Sequence, residues 1–388
     1  MRLQRGQPPK DFLRENPVRV LGLMSGTSLD GVDVAVIETD GERVTRFGPA
    51  LEVPLSKTTR KAIRKATKAA LRWNFDGPPP NGFAETSRIV DDAHIQAVER
   101  FAERHPAAFE DVALIGYHGQ TVLHRPPEPG RQRTLQLGDG QALAERFGRP
   151  CVFDFRSNDM AHGGQGAPLA PAYHRALVRA AGLERGTAVL NLGGVGNATL
   201  FAPAIAASDT GPGNGPLDQW MKRRTGKRMD KHGRASAAGT PDTARVRRWL
   251  DGPFFRRPVP RAADRYDFVE LAALDGLSVE DGAATLARFT AESVARTLSE
   301  WGRRVAGIVV CGGGRRNPAM LAMIAEATGA HVVAAEGLGW DGDALEAQAF
   351  AFLAARSLRG LPLSWPGTTG VCEPVSGGVV AWPATARA

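Results

Sequence analysis

The chain is poor in cysteine. Its 388 residues hold three, Cys151, Cys311 and Cys372, far apart and with no Cys-x-x-Cys pair. This excludes a disulfide framework and a zinc site of the usual spacing, and points to reduced thiols in a cytoplasmic protein. Long apolar runs are also missing. None approaches the roughly 20 residues that span a bilayer, so a membrane is not an expected partner. Met1 to Pro17 are polar and charged, lack the apolar segment of a secretory signal, and read as a flexible leader (1–17). Low-complexity tracts and short repeats are absent as well. Lys and Arg (49) exceed Asp and Glu (41) for a net charge of +8, but the basic residues are dispersed. Nucleic acid is therefore not an expected partner, and the charge suits an anionic small molecule. The length allows two domains of ordinary size.

The most informative stretch runs from Val18 to Glu38. An apolar run, Val18 to Met24, enters the small polar turn Ser25 to Gly31, and a second run with Val32, Val34, Val36 and Ile37 leaves it. The alternation is that of strands, so the unit reads as a hairpin with Gly26, Thr27, Ser28 and Gly31 at its tip. A glycine turn leading into a helix would suggest a Walker loop. A glycine turn within a hairpin suggests the phosphate-holding device of sugar kinases and actin-like ATPases. Thr187 to Phe201 repeats the pattern, with a strand at Ala188 to Leu192, a turn at Gly193 to Asn197 and a second strand. One such hairpin is more simply an ordinary turn; two, far apart, read as the halves of a duplicated domain, each offering backbone N–H groups to an anion. A third glycine turn strengthens the case. The strand Gly307 to Cys311 runs into Gly312, Gly313 and Gly314, and Asn317 and Pro318 then stand at the N-cap and first position of a helix. This segment resembles the adenosine-contacting part of the same class.

Elsewhere, periodicity predicts helices at Lys57 to Trp73, Ala84 to Arg104, Gln141 to Phe147, Tyr173 to Ala181, Thr285 to Trp301 and Leu345 to Leu358. Strands are predicted at Val112 to Gly116, Leu135 to Leu137 and Cys151 to Phe155. The last helix carries Ala347, Phe350, Ala351 and Ala354, small or apolar enough for close packing. Strands alternating with helices make the fold class α/β.

Nine motifs occur in order: Gly26 to Asp33 (GTSLDGVD), Tyr117 to Thr121 (YHGQT), Leu135 to Gly140 (LQLGDG), Asp154 to Asp159 (DFRSND), Gly163 to Pro171 (GGQGAPLAP), Asn191 to Asn197 (NLGGVGN), Asp209 to Asn214 (DTGPGN), Cys311 to Pro318 (CGGGRRNP) and Leu345 to Ala351 (LEAQAFA). Together they resemble the anhydro-N-acetylmuramic acid kinase family, over about Val18 to Gly378. The resemblance implies a two-lobed actin-like ATPase (ribonuclease H-like) fold with a nucleotide cleft between the lobes. The first lobe is expected at 18–150 plus 345–388 and the second at 151–344. It implies ATP and Mg²⁺, water opening the 1,6-anhydro ring of the amino sugar, and phosphorylation of the freed O6 in cell-wall recycling. A homodimer is compatible with it.

The resemblance also implies roles for single residues. Asp159 matches the carboxylate that activates water; read alone, it would be a helix cap or turn former. Gly26, Thr27, Ser28, Leu29, Asp30, Gly31, Val32 and Asp33, with Asn191, Gly193, Gly194, Gly196 and Asn197, are expected to bind ATP, and Gly312, Gly313, Gly314 and Asn317 its adenosine. Asp30 and Asp209 are candidates for hydrated Mg²⁺, with a turn cap the equal reading of Asp30. His118, Arg156, Gln165, Gly166 and Glu346 are expected at the sugar. Three of them have a plain structural reading too: His118 as a core histidine, Arg156 in an ion pair with Asp154 or Asp159, and Glu346 as a glutamate placed by its helix dipole. The family's Lys-Ser-Thr-Gly stretch is not retained in 257–268. The rivals are a kinase of this fold acting on another hexose or polyol, and a non-catalytic ATP-binding regulator.

Overall fold

The computed structural model describes residues 16–125, 133–183, 186–201, 203–263, 268, 271 and 274–384. The leader is described only at Asn16 and Pro17, both exposed; its first 15 residues lie outside the described ones, as do 264–267 of the divergent stretch. The chain divides into two compact units, 1–180 with 344–388, and 181–343.

The strands of the first unit are β1 (Val18–Met24), β2 (Gly31–Thr39), β3 (Val44–Pro54), β4 (Val112–Tyr117), β5 (Gln120–Arg125), β6 (Arg133–Leu137), β7 (Cys151–Phe153) and β13 (Val379–Ala381). Six form one sheet in the order β13-β7-β4-β1-β2-β3, and β5 and β6 form a separate ribbon. β1, β2 and β3 run antiparallel in sequence, while β4 is parallel to β1 and β7 to β4. The second unit holds β8 (Thr187–Leu192), β9 (Val195–Leu200), β10 (Ala206–Pro212), β11 (Gly307–Cys311) and β12 (His331–Ala334), in the order β10-β9-β8-β11-β12. β8, β9 and β10 are again antiparallel neighbours, and β11 lies parallel to both β8 and β12. The same arrangement thus appears twice: an antiparallel meander, then parallel strands added on the other side of its first strand. This is the ribonuclease H-like arrangement that actin-like ATPases duplicate.

The first boundary falls at 180/181, not at 150/151. The cause is β7, which pairs with β4 through Ile115 and Cys151, and with β13 on its other side. Three residues of strand with long-range partners on both sides leave little local signal of the sheet to which they belong.

The helix Leu345–Leu358 packs on β1, β2 and β4 at backbone distance. A Cβ on Gly22 would lie 1.9 Å from the Ala347 carbonyl oxygen, and one on Gly116 would lie 2.2 Å from that of Phe350. Glycine on the strands and alanine on the helix are what permit this approach. The apolar core of the first unit, including Leu21, Leu23, Val34, Ile63, Phe101 and Ile115, fills the sheet's other face against Lys57–Trp73 and Phe83–Arg104. The second unit is built around Val279–Glu300, whose Leu286, Val294 and Leu298 meet Leu190, Leu192, Ile308 and Val310 of the sheet. That helix begins six residues earlier than its apolar stripe suggests. Ser278 caps it by accepting from Asp281 N at 2.9 Å, and Glu280 and Asp281 favour the positive end of the helix.

Candidate functional site

In the first unit β1, β4 and β7 are parallel, so their carboxyl ends share one edge of the sheet. The segments that leave this edge are Ser25 to Asp30, His118 with Gly119, and Asp154 to Ser157. Carboxyl edges of this kind are where α/β sheets bind ligands.

The Ser25 to Asp30 turn closes through Leu29 N donating to the Gly26 carbonyl at 3.1 Å, with Leu29 at φ 62°. Thr27, Ser28 and Asp30 are exposed. A Cβ on Gly26 would meet only Ser28, its Oγ at 3.5 Å and its N at 4.0 Å, so the space beside the backbone is open. Leu29 and Val32 point into the core at 6% and 0% exposure, so they could reach a ligand only through their backbones. Gly31 is buried against Glu52 and Val53, and Asp33 is half-buried on β2.

His118, Arg156, Gln165, Gly166 and Asp159 come together. Arg156 donates from Nε (3.1 Å) and Nη2 (2.9 Å) to His118 Nε2, and from Nη1 to the Gly166 carbonyl at 2.7 Å. Burial lowers the guanidinium to about 10, against the charges of Glu346 and Asp159, which raise it. His118 Nδ1 lies 2.8 Å from the Gly119 carbonyl, and its ring packs on Phe350 with centroids 4.5 Å apart. Burial first, then the charge of Arg156, push its pKa well below the ordinary value. Gly166 sits at φ 70°, where a Cβ would lie 2.8 Å from the Met160 side chain. Glu346 lies in the first turn of Leu345–Leu358 and is exposed. Beside His118 a cavity of about 180 Å³ opens at the ends of β4 and β7, lined among others by Tyr117, His118, Gly119, Gln136, Asp154 and Ser157.

Asp159 lies in the first turn of the short helix Ser157–Ala161 rather than in a loop, and is 2% exposed. Its Oδ1 accepts from the hydroxyls of Ser364 and of Thr369 (2.7 Å to the latter), and its Oδ2 accepts from Gly166 N at 2.6 Å. Gly164 abuts it so closely that a Cβ there would sit 2.2 Å from Oδ2. Gln165 N donates to the Thr369 carbonyl at 2.8 Å, a second tie between the two segments. Sequence reasoning did not single out Ser364 or Thr369. Two hydroxyls in a Pro/Gly/Thr-rich stretch carry no pattern that marks them as partners of an acid some 200 residues away.

In the second unit β8 and β11 are parallel, and the Gly193–Gly194 turn and Gly312 leave the same edge; the turn is shorter than the expected Gly193 to Asn197, because β9 already begins at Val195 and its Gly196 and Asn197 pair with β8. A Cβ on Gly194 would meet nothing within 4 Å. Gly196, by contrast, faces Thr210 Oγ1 at 2.6 Å. Asn191 and Asn197 are half-buried and pair across the hairpin. The segment after β10 closes on the turn: Asn214 N donates to the Gly193 carbonyl (2.7 Å) and Asn214 Nδ2 to the Leu192 carbonyl (3.2 Å). Gly312, at φ 73°, crosses β8 so tightly that a Cβ would meet Asn191 Oδ1 at 2.3 Å, whereas Gly313 is exposed. Gly314 is packed on Leu192. Asn317 is buried and spends its Oδ1 on Met320 N (3.0 Å) as the N-cap of Pro318–Thr328. Asp209 is half-buried on β10 opposite Asn197 and accepts from Ala263 N at 2.7 Å. The divergent stretch therefore lies against Asp209. It is tied down there by Arg261, which donates to Glu300 (2.8 Å) and Thr297 (2.9 Å).

The family model described as anhydro-N-acetylmuramic acid kinase matches residues 18–383. The chain belongs to the anhydro-N-acetylmuramic acid kinase family. It is 49% identical over 364 residues to the protein of that name from Caulobacter vibrioides, covering 93% of this chain and 98% of the relative. It is also 49% identical over 369 residues to that from Phenylobacterium zucineum, covering 94% and 100%. Among solved structures it resembles the (R)-2-hydroxyglutaryl-CoA dehydratase component A of Acidaminococcus fermentans, with a TM-score of 0.46 at 11% identity, covering 88% of this chain and 99% of that one. Among the described residues no helix is long and apolar enough to cross a membrane. Nor do three or more His, Cys, Asp or Glu gather there to hold a metal.

Proposed function

We propose that this chain catalyses the reaction for which its family is named, in the cytoplasm and with ATP. Water opens the 1,6-ether of anhydro-N-acetylmuramic acid at C1, and O6 takes the γ-phosphoryl group to give N-acetylmuramic acid 6-phosphate for peptidoglycan recycling. The observation that carries this reading is the pairing of a family match over residues 18–383 with glycine turns that leave open space at Gly26 and Gly194. An anion can approach backbone N–H groups there with no Cβ in the way. Asp30, exposed beside the first turn, would hold hydrated Mg²⁺, which would offset the charge on the phosphates when bound. Exposed Thr27 and Ser28 add hydroxyl donors to the first turn.

The water-activating base is the step that the side chains constrain most. A base must reach a water and accept its proton. Asp159 is nearly sealed, and three donors already occupy its oxygens. Such a carboxylate is well suited to anchoring the Gly163–Pro171 loop to the 364–371 segment. Asp209 is more exposed and stands next to the second glycine turn. The surroundings therefore favour Asp209 as base and Asp159 as anchor. Turnover, ATP affinity and thermal stability of Asp209→Asn and Asp159→Asn test this. Asp209→Asn is expected to lose at least ~100-fold in kcat, a typical general-base contribution, with melting unchanged. Asp159→Asn is expected to melt lower. An Asp159→Asn protein that melts like the parent yet loses that activity, beside an active Asp209→Asn, would return the role to Asp159.

A further inference from the structure

We propose that His118 is a positioning residue: its Nε2 lone pair holds the guanidinium of Arg156 so that the remaining N–H bonds take a carboxylate, the lactyl group of the sugar. The inference rests on the function proposed above and names how the anionic part of that substrate would be held.

The hydrogen bonds fix the tautomer. Nδ1 faces the Gly119 carbonyl, which can only accept, so Nδ1 carries the proton. Nε2 is then a bare lone pair, and Arg156 directs both Nε and Nη2 at it, 3.1 and 2.9 Å away. Nη1 gives one bond to the Gly166 carbonyl. A guanidinium has five N–H donors. Among the described residues one on Nη1 and one on Nη2 have no hydrogen-bond partner, and the side chain is only partly buried. Two parallel donors on a planar cation match a carboxylate. His118 is 4% exposed and packed on Phe350, and both its ring nitrogens are already engaged by the protein. Its part is to stop the guanidinium from rotating, not to touch the sugar.

The surroundings keep the imidazole neutral. Burial disfavours its charged form and Arg156 would repel a second positive charge; His94 of the helix Phe83–Arg104 and His124 of β5, which also face it, are held neutral by their own burial, both lowered to about 4. Glu346 and Asp159 are the acids whose fields reach the guanidinium. Protonation of His118 would remove the lone pair and set two cations against each other, so sugar affinity should not follow an ordinary histidine titration.

Full-length protein carrying His118→Leu, His118→Gln or Arg156→Lys is assayed with anhydro-N-acetylmuramic acid and with the same anhydro sugar lacking the lactyl ether. His118→Leu is expected to raise KM for the muramic substrate at least tenfold while changing kcat and the KM for ATP less than threefold. The lactyl-free sugar should not register the change. His118→Gln, which offers a carbonyl acceptor in place of Nε2, should recover most of the loss, and Arg156→Lys should behave like His118→Leu. In the parent, KM for the muramic sugar should stay flat between about pH 5.5 and 8.5. An equal loss on both sugars, an unchanged KM in His118→Leu and Arg156→Lys, or an inflection near pH 6.5 that His118→Gln abolishes would each overturn the proposal. A parent enzyme with no turnover of the muramic sugar would instead sink the function on which it rests.

Discussion

Asp91 is a carboxyl that the fold holds away from its preferred state. It is 5% exposed, on the helix Phe83–Arg104, and accepts from Tyr117 Oη (2.9 Å) and Asp139 N (2.8 Å). Burial, helped by the charges of Asp139 and Asp92, raises it to about 6, although both hydrogen bonds pull the other way. The native chain therefore keeps a proton that the unfolded chain releases near pH 4. Between pH 4 and 6 the unfolded state binds fewer protons, so stability falls as pH rises, and above pH 6 the full cost is present. A shift from 3.8 to about 6 corresponds to roughly 3 kcal/mol. Asp91→Asn keeps the accepting oxygen and removes the titration. In urea unfolding, its stability relative to the parent should improve by about 2–4 kcal/mol between pH 4 and pH 7.5; a constant difference across that range would mean that Asp91 is ionised in the native state. The residue scale is also where sequence reasoning reached least far. His118 and Arg156 could be named from their motifs, but not that one holds the other, because the contact joins residues 38 apart through a tautomer. Asp159 could be named as an acid in a motif, but not as an enclosed one, since its enclosure comes from Ser364 and Thr369 at the far end of the chain.

Elements with a strong local period were legible, and those defined by distant partners were not. The helices Lys57–Trp73 and Leu345–Leu358 and both glycine hairpins follow directly from apolar spacing. β3 and β10 escaped notice because a strand with only one buried residue, or one rich in Asp, Thr and Gly, lacks clean alternation. β12 and β13 are too short to show a period at all. The glycine turns separate fold from function at this scale. A Cβ at Gly194 meets no atom of the fold, whereas one at Gly196 lands on Thr210 Oγ1. Gly194→Ala should therefore melt within about 1 °C of the parent, as surface changes usually do, yet bind ATP at least several-fold more weakly because the methyl occupies the phosphate's space. Gly196→Ala should lose about 1–3 kcal/mol to overpacking. Calorimetry of melting together with ATP titration checks both. An ATP affinity untouched in Gly194→Ala would remove the second turn from the phosphate site.

The whole molecule repeats one architecture, and that repeat does not distinguish a kinase that phosphorylates a ready-made hydroxyl from one that must first create it. Anhydro-N-acetylmuramic acid has no free O6, since that oxygen bridges to C1. Phosphoryl transfer alone therefore cannot place a phosphate on O6. The C1–O6 bond must break, water must supply the new oxygen at C1, and O6 must close on the γ-phosphorus as ADP leaves. The product then contains the elements of substrate, one water and one phosphoryl group. An ordinary hexose or polyol kinase of the same fold takes nothing from solvent. Turnover in ¹⁸O-enriched water should thus place one heavy oxygen on C1 of the sugar phosphate and none in the ADP, read by mass spectrometry of the product and its fragments. Each sugar should consume one ATP, since phosphoryl transfer enters only once O6 is free. A product whose sugar carries no solvent oxygen would mean that this chain, for all its family likeness, phosphorylates a sugar whose hydroxyl was already there.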